Sequence, residues 1–360
     1  MKLIHTADLH LGSGLESNLP AELARKRRDE LYLTFSRMVD YATQSGVEVF
    51  LIAGDLFDTA TPGRELWSRV IRTVCDHPSI RFFCIEGNHD RETLCPEPEN
   101  IPAHFVWIGK EWSSFDLGEV VLWGSSAALE VPLPEMDASR VNVVMLHGQL
   151  TAGSAAGVPD ALPENLLTHR GIDYLALGHL HSFSQGMLDD RCRYCYPGCP
   201  EGRGFDECGE KGFVLLETTG RRSQPLETHF VPFSQRQLYT VEVSLTGCDS
   251  ESTLLRLTDD AVAGIPHPSD SMLKVELTGD YQPEWQKDAV FLRAVLSERF
   301  WFVKIKDRSR MCLTEADVAG DVSLRGEFLR LLAESGEEEE DAALIAEMGL
   351  RALKGENLDI

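Results

Sequence analysis

Two histidines one residue apart close the stretch YLALGHLHSF, residues 174–183. In an extended chain, residues i and i+2 point to the same side. His179 and His181 can therefore reach into one space, and Gly178 lets the backbone come close to it. Alone, such a pair is an ordinary polar strand end. Four other strand ends carry side chains of the same kind: Asp8-Leu9-His10, Gly54-Asp55-Leu56-Phe57-Asp58, Gly87-Asn88-His89-Asp90 and His147-Gly148. Each follows an apolar run, and open α/β sheets place their sites beyond the carboxyl ends of strands. Carboxylate, imidazole and amide oxygen, without thiolate, suit borderline-hard divalent ions such as Mn²⁺ or Fe²⁺, with Mg²⁺ a further candidate. One aspartate can bridge two ions about 3.5–4 Å apart, and such a pair lowers the pKa of a shared water and clamps a phosphate oxygen.

The elements that must deliver these residues alternate along the first half of the chain. MKLIHTA reads as a strand, residues 22–45 as a helix stopped by Gly46, and VEVFLIAG as a strand buried on both faces. GRELWSRVIRTVCDH reads as a helix and RFFCIEG as a third strand, so the start is βαβαβ with parallel pairing. HFVWIG, EVVLWGSS, NVVMLHG, DYLALGH, CRYCYPG, GFVLLET and ETHFVPF follow with few helices between them, which predicts a second, mixed or antiparallel sheet. From RQLYTVEVSL the pattern resets to strand, helix, strand, helix, strand, and two amphipathic helices close the chain around an acidic run at 337–341. The expected division is a core domain over residues 1–235, a small α+β domain over 236–320 and a helical tail over 321–360.

DxH, GDxxD, GNHD, H-G and GHxH, in this order, resemble the calcineurin-like metallophosphoesterase superfamily over about residues 1–235. The resemblance implies an α/β fold, a four-layer α/β/β/α sandwich of two mixed sheets. It also implies a two-ion centre. Asp8, His10, Asp55 and His181 would hold the first ion. Asp55, Asn88, His147 and His179 would hold the second, with Asp55 as the bridge. His89 would then stabilise the transition state or protonate the leaving oxygen, oriented by Asp58. A carboxylate behind an imidazole fixes its tautomer. Asp90 either orients a neighbour or caps the next segment. His5 reads as a packed strand histidine, and His104, His169 and His229 match no motif.

HTADLHLGSGL, GDLFDTATP and YPGCPEGRGFDECGEKGF further resemble the SbcD-type DNA repair exonucleases, which work with an SMC-like SbcC-type ATPase. The expectation is a Mn²⁺-dependent 3′–5′ exonuclease with endonuclease activity. The domain over 236–320 would cap the DNA, the tail would grip the ATPase, and the chain would form a homodimer. Arg27 and Arg28 in the cluster Arg25–Arg28, and Arg203 in a GRG loop, are candidate phosphate contacts. Taken alone, the cluster reads as a solvated helix start.

Composition pulls the other way. The formal net charge is −24, and an overall negative field does not attract nucleic acid. DNA would have to be held by a local basic patch and by metals. The acidity favours a small-molecule phosphodiesterase or phosphatase as the alternative enzyme, and a non-catalytic regulatory subunit is the alternative outside catalysis. No apolar run approaches the length of a membrane span, and the start lacks the features of a secretion signal, so the expected location is cytoplasmic. Nine cysteines in such a chain read as reduced thiols. Cys192, Cys195, Cys199 and Cys208 cluster, but in an extended CRYCY segment positions i and i+3 face opposite sides, so they read as small buried hydrophobes rather than a zinc knuckle.

Overall fold

The computed structural model describes all residues except 18, 94–99, 128–129, 154–156, 219–225, 282–284, 286, 312–321, 337–338 and 354–360, and the side chains at 339–340, 343–344, 347 and 351. Cys95, Cys312, part of the acidic run and parts of the proposed tail segment therefore lie outside the described residues. The chain divides into two units, Met1–Gln237 and Leu238–Ile360.

In the first unit, the βαβαβ start consists of β1 (Lys2–Thr6), α1 (Ala21–Gln44), β2 (Val49–Ala53), α2 (Arg64–Cys75) and β3 (Arg81–Ile85). It is followed by β4 (Phe105–Ile108), β5 (Ser113–Asp116), β6 (Val120–Gly124), β7 (Val141–His147), β8 (Gln149–Thr151), β9 (Ala161–Pro163) and α3 (Glu164–Leu167). Then come β10 (Tyr174–Gly178), β11 (Ser184–Met187), β12 (Arg193–Tyr196), β13 (Gly212–Glu217) and β14 (Glu227–Pro232). One sheet has the order β14-β13-β1-β2-β3-β4, and the other β11-β12-β10-β7-β6-β5. In the first sheet, β1 to β4 pair in parallel and β13 and β14 antiparallel. In the second, β12, β10, β7 and β6 pair in parallel, with antiparallel edges at β11 and β5. Both sheets are mixed with a parallel centre, but HFVWIG, GFVLLET and ETHFVPF, expected in the second sheet, form β4, β13 and β14 of the first, where β4 extends β3 and β13 pairs with β1.

Strand periodicity explains the layers. Tyr174 and Ala176 of β10 join Leu3, Leu51, Phe83, Leu122, Met145 and Val214 in a core built from both sheets. Their neighbours Leu175 and Leu177 face the other way, into a cluster with Leu146, Leu162, Leu167 and Tyr196. On β2 every residue is buried, and Phe50 meets Phe35 of α1 at a ring separation of 6.3 Å. Leu31, Phe35, Met38, Val39 and Ala42 form the buried stripe of α1, at the i, i+4, i+7, i+8 spacing of one helix face. Each large apolar side chain so buried contributes roughly 1.5–3 kcal/mol. Gly46, at φ +67°, takes the left-handed conformation that ends α1.

The second unit holds β15 (Leu238–Ser244), α4 (Glu251–Val262), β16 (Met272–Thr278), β17 (Asp280–Tyr281), α5 (Ala289–Ser297), β18 (Phe302–Asp307), β19 (Arg310–Met311), α6 (Leu324–Glu334) and α7 (Glu339–Leu353). Its sheet, β15-β16-β18, is all parallel. Leu254 of α4 and Leu292 and Leu296 of α5 pack on Val275 and Leu277. Leu329 of α6 packs with Ala346 and Leu350 of α7. Among the described residues, no helix is long and apolar enough to cross a membrane.

Candidate metal centre

The ligand loops leave their strands through backbone that few residues adopt. Asp8, His10, Asp55 and His179 have φ of 53°, 46°, 52° and 104°. Non-glycine residues held there cost about 1–3 kcal/mol each, and such strain collects at functional sites. It is held in place by backbone bonds between β1 and β2 ends, from Asp8 N–H to the Gly54 carbonyl (3.1 Å) and from His10 N–H to the Asp55 carbonyl (2.9 Å). Glycine is required where the sheets approach. A Cβ on Gly178 would lie 2.0 Å from the Ala53 carbonyl oxygen, and one on Gly87 would lie 2.1 Å from Asp55 Oδ1.

These loops bring the seven expected ligands together. Asp55 Oδ2 stands 3.6 Å from His10 Nε2 and 3.5 Å from His147 Nε2. His10 Nε2 and His181 Nε2 are 3.2 Å apart. Asn88 Oδ1 is 3.0 Å from His147 Nε2 and 3.2 Å from His179 Nδ1. Asp8 accepts the His179 N–H at both oxygens, 3.0 and 3.1 Å. Donor atoms of Asp8, His10 and His181 lie within 4.8 Å of one another, as do those of Asp8, Asp55 and His147, and of His10, Asp58 and His89. The parallel register Gly178↔His147 is what sets the β7 and β10 histidines side by side.

The donor set fits divalent cations on its own chemistry. His10 Nδ1–H donates to Asp58 Oδ1 (2.9 Å), His147 Nδ1–H to the Ala53 carbonyl (2.9 Å) and His181 Nδ1–H to Glu207 Oε1 (2.7 Å). Those partners set the tautomers and leave each Nε2 a lone pair. Two Nε2 lone pairs then face each other at 3.2 Å, and another faces an amide oxygen at 3.0 Å. Acceptors meeting acceptors at this range repel unless they share a cation. Burial, with help from Asp55, pushes the Asp8 carboxyl up to about 6 against the pull of His181 and His10. Burial also lowers His10, His147 and His179, which keeps them neutral and ready to ligate. Burial opposes charge on His181, but the Glu207 hydrogen bond and the Asp8 and Glu207 charges outweigh it and raise its pKa.

Several expected roles change. His89 donates its backbone N–H to Asp55 Oδ1 (2.9 Å) and leaves its ring at the rim, 43% exposed. Its Nδ1 is 3.5 Å from Asp58 Oδ1, too long for a good hydrogen bond. Asp58 is engaged instead by His10 at 2.9 Å and Arg203 at 3.1 Å. Asp58 thus hydrogen-bonds His10 and stands within ion-pair distance of His89. Burial works to raise the Asp58 carboxyl, yet the bonds and charges of His10 and Arg203 hold it low. Arg203 faces inward, 16% exposed, and its guanidinium is engaged by Asp58 and Glu207. Arg27, expected at the phosphate, is 1% exposed and bound to Glu30, Glu201 and the Gly202 carbonyl. Arg28 remains at the surface, paired to Glu16.

Asp90, fully buried, accepts Gly87 N–H (2.7 Å) and Phe57 N–H (3.2 Å), and so ties the β2 and β3 loops. Cys192, Cys195 and Cys199 are buried free thiols, and no cysteine joins a metal-ligating group among the described residues. Glu207 was not legible as a site residue. It lies in a glycine-rich loop with no periodicity, and only the acid at its end of GRGFDE hints at it.

Fold and site together define a metallophosphoesterase with a cluster of carboxylate and imidazole donors suited to divalent ions. The family model described as calcineurin-like phosphoesterase matches residues 1–183, and the chain belongs to this family. It is 29% identical over 237 residues to the uncharacterized metallophosphoesterase YhaO of Bacillus subtilis (strain 168), which covers 61% of this chain and 58% of that protein. It is 28% identical over 286 residues to the DNA double-strand break repair protein Mre11 of Methanopyrus kandleri, which covers 68% of this chain and 60% of the relative. The matches thus span about three-fifths of these relatives' length. Among solved structures, TT1561 of Thermus thermophilus aligns with 11% identity and a TM-score of 0.42, over 64% of this chain and 98% of that one.

Proposed function

We propose that this chain is an SbcD-type, manganese-dependent phosphodiesterase that hydrolyses DNA, as a 3′–5′ exonuclease with endonuclease activity. The observation that carries the reading is the convergence of Asp8, His10, Asp55, Asn88, His147, His179 and His181 on one edge, with the His89 ring exposed beside them. The ordered motifs and the relatives named as Mre11 DNA double-strand break repair proteins support DNA as the substrate.

Asp8, His10, Asp55 and His181 would hold one ion, and Asp55, Asn88, His147 and His179 the other. Bound there, two such ions supply an activated water and offset charge on the phosphoryl group. Mn²⁺ suits this mixture of imidazole and oxygen donors, as does Fe²⁺, whereas Mg²⁺ prefers oxygen alone. His89 stands at the rim, where its ring can protonate the departing 3′-oxygen. The Asp55 carboxylate fixes the His89 backbone, so the general acid and the bridging ligand move as one. In this reading residues 236–320 cap the DNA, residues 321–360 grip an SMC-like SbcC-type ATPase, and the chain works as a homodimer in the cytoplasm.

The net charge of −24 favours a second reading, hydrolysis of a small phosphodiester. A manganese-supplemented assay on linear duplex DNA separates the two. Nucleotide release by the wild-type chain, lost with His89→Ala, is the expected result. Turnover of a small chromogenic diester with no release from DNA would overturn the nuclease reading and leave the small-substrate one standing.

A further inference from the structure

The segment after β12 folds back over the last pair of histidines. Cys199 N–H and Lys211 Nζ both donate to the His181 carbonyl, at 3.3 and 2.6 Å. Glu207 Oε1 takes the His181 ring N–H at 2.7 Å. Across the site, Asp58 Oδ1 takes the His10 ring N–H at 2.9 Å. One side chain joins these two carboxylates. Arg203 donates from Nη1 to Asp58 Oδ1 (3.1 Å) and from Nη2 to Glu207 Oε1 (2.9 Å). Its backbone N–H adds a bond to Glu207 Oε2 (2.7 Å). The opposite imidazole, His147, has no such support; its Nδ1–H rests on the Ala53 carbonyl.

From this asymmetry we infer that Arg203 is a positioning residue for one ion of the pair: its guanidinium, bridging Asp58 and Glu207, fixes both His10 and His181 with their Nε2 atoms 3.2 Å apart. The inference rests on the two-ion reading of the site and not on the nature of the substrate. A carboxylate behind a ligating imidazole sets its tautomer and ring angle and raises its basicity. A guanidinium can serve two carboxylates at once because its donors form a rigid fork, which a lysine ammonium does not. Each carboxylate accepts the ring N–H of one imidazole while Arg203 ties the two carboxylates together, so the imidazoles stay oriented. Without Arg203 the two carboxylates repel and both rings are released together.

The test titrates metal-free, full-length protein with Mn²⁺ alone, by calorimetry or equilibrium dialysis. The wild type should take up two equivalents. Arg203→Ala should keep one at wild-type affinity and weaken the other by about 10- to 100-fold, the usual cost of losing support behind a ligand. Arg203→Lys keeps the charge and guards against a folding defect; it should show the same selective loss, with the melting temperature of the metal-free protein near wild type. The lost site is located by background. In His147→Ala, which retains only the first site, adding Arg203→Ala should weaken the single remaining equivalent. In His181→Ala, it should change nothing further. Equal weakening of both equivalents, or of neither, overturns the inference while leaving the two-ion reading intact. Uptake of fewer than two equivalents by the wild type overturns both.

Discussion

His5 shows what burial does to an imidazole with no ion to serve. It lies on β1 three residues before Asp8, fully buried, with Nδ1 2.8 Å from the Tyr174 hydroxyl. Burial pushes its pKa from the ordinary 6.5 down to about 3. The folded value is depressed, so the neutral ring imposes no penalty above pH 6.5, and stability is lost as pH falls from 6.5 towards 3. The full loss is on the order of 4–5 kcal/mol, and about 3 kcal/mol of it is reached by pH 4. In metal-free protein, His5→Phe should lose correspondingly less stability between pH 7 and pH 4 than wild type, read from urea midpoints. Parallel pH profiles for the two would sink the assignment. His5 and Asp8 also mark how far single residues could be read. Ligand types at strand ends are visible in the sequence because carboxylate and imidazole after an apolar run are rarely needed for packing. The partners behind them are not, because Asp58 meets Arg203 and Glu207 only when two loops far apart in sequence close on one another.

Among elements, the strand ends carry the design. β2 and β10 belong to different sheets, yet Gly178 sits against the Ala53 carbonyl with no room for a methyl group, and His147 Nδ1 is 2.7 Å from where a Cβ would be. Gly178→Ala should therefore destabilise the fold by about 1–3 kcal/mol, the usual cost of overpacking, and should also displace His147. A lowered melting temperature together with loss of one Mn²⁺ equivalent is the expected result; loss of stability with both equivalents retained would show that the clash is absorbed away from the site. α1 makes a different kind of joint. Arg27, Glu30, Glu201 and Arg236 form a buried charge network that holds this helix to the loop just before Arg203. The run Arg25–Arg28 reads from the sequence as a solvated basic cluster, but the helical turn sends Arg27 inward while Lys26 and Arg28 pair at the surface with Glu22 and Glu16. The long elements were legible from their periodicity. The short β5, β8, β9 and β11 were not, because SSFD, QLT, ALP and SQGM carry too few apolar residues to show a period.

For the molecule as a whole, the charge of −24 makes any hold on DNA local. Cations that contact phosphates release counterions, so the hold weakens steeply with salt. Below saturation, DNA cleavage should fall roughly ten-fold or more between about 50 and 200 mM KCl, as contacts to about three phosphates would require. Turnover of a small diester should change far less over the same range. A flat response on DNA would mean that the ions and shape, rather than basic side chains, position the strand. The arrangement of donors has a last consequence for how the protein comes apart. Asp8, His10, Asp55 and Asn88 extend from one sheet, and His147, His179 and His181 from the other. Each proposed ion thus takes donors from both leaves, and filling the centre rivets them together at one margin. A chelator would remove this rivet and leave the margin to the direct bonds from His147 to the Ala53 carbonyl and from His179 to Asp8.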